Sequence, residues 1–291
     1  MACPSASAVD CPPVLRASEY EKISRLAYEH FGLDLRGSKQ SLVAARLGKK
    51  LRELGLESFQ RYYDYVKADR SGAALASMVD QLTTNHTSFF REPKHFDFLS
   101  KTVFPALRAR SRIHIWSAAC SSGEEPYSIA MSLLEAAPHE AAVKVRIKAT
   151  DISTRVLEKA KRGTYAAERV AGIPPELRQR YMLKAAEESA GSYRFKSDIR
   201  SMIEFEHLNL MGKLPEGYWC SAIFCRNIMI YFDKPTQQSL VQRLSEHLED
   251  GGYFFVGHSE SLNNISHGLN YVCPATYRKP GGARTGQIGR G

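Results

Sequence analysis

The chain has 291 residues, too many for one small module and suited to one large domain or two modest ones. At 43% hydrophobic and 24% charged it can bury a core, which excludes a disordered chain, and no stretch approaches the roughly 18 uninterrupted apolar residues of a spanning helix. Its 40 Lys plus Arg against 31 Asp plus Glu leave +9, which implies an acidic partner: nucleic acid, an anionic membrane surface or an acidic protein.

Residues 1–15, rich in Pro, Ser and Ala, read as a loose tail. They lack the apolar run and basic opening of a secretion signal, so the expectation is a cytoplasmic protein. Residues 16–90 then read as an all-α domain. Glu19 to Phe31 carries Tyr20, Ile23, Leu26 and Ala27 on one face, and Val43, Leu47, Leu51 and Leu54 recur at helical spacing. Phe59, Tyr62, Tyr63 and Val66 mark a third helix, and Leu75 to Leu82 a fourth. Between Arg36 and Arg52 six basic residues occur with no acidic one, and Lys39, Arg46 and Lys50 fall along one line of that helix. Such a line is either a solvated face or a docking surface for an acidic helix or a nucleic-acid backbone.

Residues 91–280 read as an α/β domain, because from about residue 110 strands and helices alternate, the pattern of a mostly parallel sheet covered by helices. Ile113 to Ser117 and Val143 to Thr150 are the first two strands. Helices are expected from about Pro126 and over Thr154 to Arg162. A short apolar strand, Ser221 to Arg226, precedes a helix capped by Asp233, with Leu240, Val241, Leu244 and Leu248 inward and Gly251-Gly252 as its stop. Tyr253 to Gly257 and Tyr271 to Arg278 supply late strands. Tyr193 to Ser197 and Met202 to His207, after the turn-prone Glu187 to Gly191, break the alternation and predict a small antiparallel β insertion over about 181–207. Residues 281–291 read as a second loose tail.

The six cysteines (Cys3, Cys11, Cys120, Cys220, Cys225, Cys273) form no Cys-x-x-Cys pair, and the nine histidines show no ligand spacing. Reduced, mostly buried thiols and no metal are the expectation. Gly257-His-Ser-Glu-Ser261 departs from a nucleophile elbow at its last position, and no long stretch follows it to supply the other triad members.

An open parallel sheet binds ligands at the carboxyl ends of its strands. The first strand ends in Ser117-Ala-Ala-Cys-Ser-Ser-Gly-Glu-Glu125, whose small side chains let a ligand approach the backbone. It has neither the Gly-Lys-Ser/Thr of a P-loop nor Gly-x-Gly-x-x-Gly, and two carboxylates repel phosphate but suit a cation. Asp151, at the end of the second strand, stands where an acidic residue hydrogen-bonds an adenosine ribose, although alone it could equally cap the next helix. A nucleoside with a cationic group and no phosphate points to S-adenosylmethionine.

Five blocks then occur in order: Thr83-Thr-Asn-His-Thr-Ser-Phe-Phe-Arg-Glu92, Trp116 to Ser128, Asn209-Leu210, Phe224-Cys-Arg-Asn-Ile-Met-Ile-Tyr-Phe-Asp233 and Gly257-His-Ser-Glu260. Over roughly residues 18–280 the chain resembles the chemotaxis receptor methyltransferase family, CheR. The resemblance implies an all-α domain followed by a Rossmann-like S-adenosylmethionine-dependent methyltransferase domain with a small antiparallel β-subdomain. It implies methylation of glutamate side chains on the cytoplasmic helices of chemoreceptors, with S-adenosyl-L-homocysteine as product and no metal. It places Asn85, Thr87, Arg91 and Ala119 around the cofactor, Glu125 at its methionine part, Asp151 at the ribose and Asn209 and Leu210 beside the adenine. Arg226 and Asn227 close the site, and Arg91 and Tyr231 lie nearest the transferred methyl group. The receptor's acidic helices would meet Lys39, Arg46 and Lys50. A receptor C-terminal peptide, in members that use one, would add a strand at Gly191, Arg194 and Lys196. A nucleic-acid methyltransferase and a non-catalytic S-adenosylmethionine sensor are the alternatives. The first lacks an Asn/Asp-Pro-Pro-Tyr type motif and aromatic–basic interleaving, and the second would be expected to lose Arg91 or Tyr231.

Overall fold

A computed structural model describes residues 13–84, 86–136, 144–185 and 191–281. Most of both expected tails, Asn85, Cys3, Cys11 and most of the Glu187 to Gly191 turn lie outside the described residues. Within the expected first tail, Leu15 is buried and its carbonyl accepts the Gln40 amide at 2.8 Å. Two compact units divide between Thr84 and Asn85, six residues before the boundary read from the sequence. Among the described residues no helix is long and apolar enough to cross a membrane.

The first unit contains α1 (Ala17–Phe31), α2 (Gln40–Glu53), α3 (Phe59–Ala68) and α4 (Ala73–Leu82). The inward stripes are those given by the spacing: Ile23 and Ala27, Val43, Leu47 and Leu51, and Phe59, Tyr62 and Val66 are all buried. Full burial of each large aliphatic or aromatic side chain contributes about 1.5–3 kcal/mol. Buried Glu19 ties α1 to α3 by accepting the Arg16 and Gln60 N–H groups at 2.8 and 3.1 Å. Gly32, at φ 68°, closes α1. The basic line on α2 is partly consumed within this unit. Arg46 donates to the Leu82 carbonyl and to Thr84 Oγ1, Lys39 to the Asp34 carbonyl at 2.6 Å, and Lys50 pairs with Glu53 at 3.4 Å.

The second unit is built on a sheet in which β1 (Ile113–Ala118), β2 (Val145–Asp151), β6 (Ile203–His207), β7 (Cys220–Cys225) and β8 (Leu248–Phe255) run parallel. Strands β9 (Asn270–Cys273) and β10 (Thr276–Arg278) complete the order β6-β2-β1-β7-β8-β10-β9, with β10 antiparallel to β8. Burial of Ile113, Ile115, Trp116, Ile147, Phe224 and Phe255 explains why the strand sequences are nearly continuous apolar runs. Trp116 places its indole N–H on Thr150 Oγ1 at 2.9 Å, so its polar atom is satisfied inside the core. The helices Glu124–Ala136, Thr154–Arg162 and Lys234–Glu246 follow β1, β2 and β7.

Three segments differ from the sequence reading. Ile203 to His207 is not part of the small sheet but the edge strand of the large one, registered against Ile147 to Asp151. The small sheet has the order β3-β5-β4, from Thr164–Ala166, Ser192–Phe195 and Met182–Lys184, all antiparallel. Because β5 is its middle strand, Arg194 is paired with Thr164 on one side and Leu183 on the other. The Gly191 carbonyl accepts the Ala167 N–H at 3.0 Å. Among the described residues β5 has no free edge along which a strand could be added at Arg194, and the unpaired sides of the small sheet are those of β3 and β4. Finally, the helix after Asp233 stops at Glu246, because Leu248 pairs with Cys220 and begins β8. Gly251, at φ 74°, lies at the register shift within that strand.

Candidate active site

The chain leaves β1 toward β2 and β6 on one side, then returns to place β7 and β8 on the other. The reversal puts the switch in strand order at the carboxyl ends of β1 and β7, the place where open α/β sheets bind ligands. The residues at that end come from the segments after β1, β2, β6, β7 and β8 and from the junction block.

The loop after β1 is held in an unusual path. Ala119 and Ser121 are left-handed at φ 67° and 49°, and Gly123 has φ 96°. A Cβ on Gly123 would lie 2.8 Å from both Ala160 Cβ and Tyr165 Oη, so only glycine fits. The Tyr165 hydroxyl donates to the Ser122 carbonyl at 2.7 Å, and the Cys120 N–H to the Thr150 carbonyl at 2.9 Å. Asp151, at the end of β2, accepts the Ser121 N–H at 2.8 Å and the Ser153 N–H at 2.9 Å. The helix cap is Ser153, whose hydroxyl accepts the Val156 N–H at 3.3 Å. Asp151 thus joins the β1 and β2 loops instead of capping. Its carbonyl takes the Leu208 N–H at 2.9 Å, which brings Asn209 and buried Leu210 alongside. Asn209 Oδ1 accepts the Met211 N–H at 2.9 Å.

Arg226, at the end of β7, is the hub of a buried ion cluster; its side chain is 2% exposed. It donates to Glu125 Oε2 at 2.8 Å, to Glu92 Oε2 at 2.8 Å and to the Arg91 carbonyl at 2.6 Å, and it lies over the Phe96 ring. Its Nε is buried with no hydrogen-bond partner. Glu125 is also held by the Ser117 hydroxyl at 2.7 Å; burial raises its carboxyl, with Arg226 and Ser117 opposing. Burial works to raise Glu92 as well, but the Arg226 guanidinium, the His258 N–H and the Asn227 amide outweigh it and leave Glu92 below the usual carboxylate range. One guanidinium faces two carboxylates, so the cluster holds less positive than negative charge when both are ionised. Buried Glu124 is engaged separately, by Arg169 and by the Ser122 hydroxyl at 2.7 Å.

From His86 onward the junction block belongs to the second unit. Phe89 packs edge-on against Tyr165 with centroids 5.0 Å apart, and the Phe90 N–H reaches Ser128 Oγ at 2.9 Å. Phe90 and Glu92 are left-handed, at φ 53° and 59°. Buried Thr87 offers its carbonyl to Arg169, while the Arg91 side chain donates to the His86 carbonyl at 2.9 Å. Tyr231 ends the 3-10 turn Met229–Tyr231 and is half-buried.

Glu92 and Glu260 stand out only in the structure. Glu92 bridges loops more than 130 residues apart in sequence, and Glu260 accepts backbone N–H groups from two loops. Their places inside quoted blocks were the only signal available. Glu92, His95 and His258 come within 4.8 Å of one another, a grouping that could hold a metal. The Arg226 guanidinium already bound to Glu92 opposes a second cation there. His95 is buried and neutral, its imidazolium pushed down to about 3 by burial and by the charge of Arg226. The described cysteines are free, and burial pushes the Cys120 and Cys225 thiols up.

Small side chains and left-handed backbone at the β1 loop, an acidic residue at the end of β2, and an anion-rich ion cluster fit a cationic nucleoside without phosphate. These are features of a Rossmann-like S-adenosylmethionine-dependent methyltransferase. Residues 85–277 match the family described as CheR methyltransferase, SAM binding domain, and residues 18–83 match CheR methyltransferase, all-alpha domain. A chemotaxis protein methyltransferase of Borreliella burgdorferi is 38% identical over 90% of this chain and 94% of its own. Chemotaxis protein methyltransferase 2 of Pseudomonas aeruginosa is 40% identical over 89% and 92%. The Escherichia coli chemotaxis protein methyltransferase is 37% identical over 86% and 87%. The chain belongs to the CheR methyltransferase family.

Proposed function

We propose that this protein esterifies glutamate side-chain carboxylates of chemoreceptors, as part of sensory adaptation. The observation that carries the reading is the buried Arg226 cluster beside the Asp151-braced β1 loop, at the carboxyl ends of β1, β2 and β7. When bound, S-adenosylmethionine supplies an activated methyl group and a neutral sulfur leaving group. A glutamate carboxylate is already ionised at neutral pH, so the chain need not provide a general base. Its task is alignment, which can supply about 7–11 kcal/mol of the barrier.

Asp151 takes the ribose diol, Asn209 and Leu210 border the adenine, and Asn85, Thr87, Arg91 and Ala119 line the pocket. Glu125 meets the methionine part, with Arg226 and Asn227 fixing the wall behind it. Arg91 and Tyr231 orient the acceptor carboxylate. The acidic receptor helices meet the α2 line at Lys39, Arg46 and Lys50, with Arg46 tied to the fold by two hydrogen bonds and Lys50 engaged by the ion pair with Glu53. If a receptor C-terminal peptide adds a strand, it does so at the edge β3 or β4, with Arg194 and Lys196 contributing side chains alone.

The test is methyl transfer from labelled S-adenosylmethionine to chemoreceptor cytoplasmic fragments, with tRNA and DNA offered in parallel. Label on the receptor released as methanol in mild alkali is the expected result. Alkali-stable label on nucleic acid would overturn it.

A further inference from the structure

Two carboxylates, half-buried Glu92 and buried Glu260, stitch the β7 loop to the β8 loop. Glu92 accepts the Asn227 side-chain amide at 3.4 Å and the His258 N–H at 3.2 Å. Glu260, 8% exposed, accepts the Asn227 N–H at 2.8 Å and the Gly257 N–H at 2.6 Å on one oxygen, and the Met229 N–H at 2.7 Å on the other. Asn227 is left-handed at φ 59°, a conformation that asparagine tolerates but that needs support from its surroundings. Gly257 has no room for a Cβ, which would lie 2.8 Å from Glu260 Oε2 and press on the Asn227 amide. From the opposite side, Gln237 Nε2 donates to the Met229 and Phe232 carbonyls at 2.9 and 3.0 Å. The turn from Arg226 to Tyr231 is thus fixed by side chains from outside it.

Three N–H donors converging on one carboxylate make an acceptor-only site. Such a group is strongly desolvated, and losing its bonds would leave buried N–H donors unsatisfied. We propose that Glu260 is a positioning residue for methyl transfer. Its ionised carboxylate sets the backbone of Asn227 and Met229, and so fixes where Arg226 and Tyr231 stand. It touches neither Asp151 nor the β1 loop and reaches the cofactor's methionine part only through Arg226 and Asn227, so its influence falls mainly on the turnover step. The inference rests on the methyl-transfer reading above.

The experiment compares the wild-type chain with Glu260→Gln and Glu260→Asp, using receptor cytoplasmic fragments and labelled S-adenosylmethionine. Glutamine keeps the shape but turns an N–H2 group toward at least one N–H donor. We expect Glu260→Gln to melt cooperatively and to bind S-adenosylmethionine within about threefold of wild type. We expect its kcat, per cofactor-binding-competent molecule, to fall by roughly 10- to 100-fold with KM for the receptor nearly unchanged, the scale of one lost charged hydrogen bond. Glu260→Asp, which keeps the charge on a shorter arm, should recover part of kcat. If Glu260→Gln does not fold, the aspartate variant alone carries the test, and wild-type kcat from it overturns the proposal. Unchanged kcat in Glu260→Gln, or a loss matched by loss of binding-competent protein, also overturns it. A wild-type chain that deposits no alkali-labile label overturns the underlying reading together with the inference, whereas labelled wild type with unaffected variants overturns the inference alone.

Discussion

At the residue scale the Arg226 cluster makes an acid-side prediction. Glu92 has a depressed carboxyl in the folded state, so its contribution to stability is full above the unfolded carboxylate value and is lost as pH falls through the lower folded one. Glu125 and Glu260 have raised carboxyls and run the other way: their contribution is full below the unfolded value and lost as pH rises through the folded one. Glu92→Gln should therefore cost about 1.5–3 kcal/mol at neutral pH, and its melting difference from wild type should shrink as pH falls below the unfolded carboxylate value and through the lower folded one. Calorimetry across that range checks it; a difference that persists in acid contradicts it. Asp151→Ala should weaken S-adenosylmethionine binding by roughly 10- to 100-fold by titration, since it removes both the proposed ribose acceptor and the brace on Ser121. Wild-type affinity would contradict that role. The position of Asp151 at the end of β2 could be read in sequence from the strand pattern, whereas the role proposed for Glu125 comes from the family resemblance. Glu92 and Glu260 could not be read, because their significance lies in partners such as Arg226 and Asn227, supplied by distant strands.

At the element scale, helices with one buried stripe were readable to within a few residues. The helix over Thr154–Arg162 falls where its spacing put it. Strand partners were not readable. Ile203-Glu-Phe-Glu-His207 alternates as a half-buried strand of either sheet would, and its place beside β2 is decided by tertiary register against Ile147 to Asp151. The stop at Glu246 was hidden for a related reason: Leu248 is apolar in phase with the helix, yet pairs with Cys220. The basic helix α2 shows what charge alone conceals. Arg46 is bound to the end of α4, so Arg46→Ala should lower stability by roughly 1–2 kcal/mol in denaturant titrations. Lys50→Glu should leave stability within about 0.5 kcal/mol but raise the KM for receptor fragments. Equal effects of both variants on stability would contradict this division of roles.

At the scale of the whole molecule, the net charge of +9 fits an acidic macromolecular substrate, although it does not choose one. Between about 0.1 M and 1 M salt the Debye length falls from about 10 Å to 3 Å. The KM for receptor fragments should rise roughly three- to tenfold over that range while kcat holds, as steady-state kinetics would show. A salt-independent KM would remove electrostatic docking from the account. The acceptor we propose is a glutamate carboxylate. Mapping the methyl group by tandem mass spectrometry on receptor fragments incubated with the wild-type chain and S-adenosylmethionine tests it. The account predicts methyl on glutamate side chains, removable by mild alkali and strongly reduced with Asp151→Ala. Methyl found only on another residue type or on nucleic acid, or none on a receptor taken from the same cells, would contradict it.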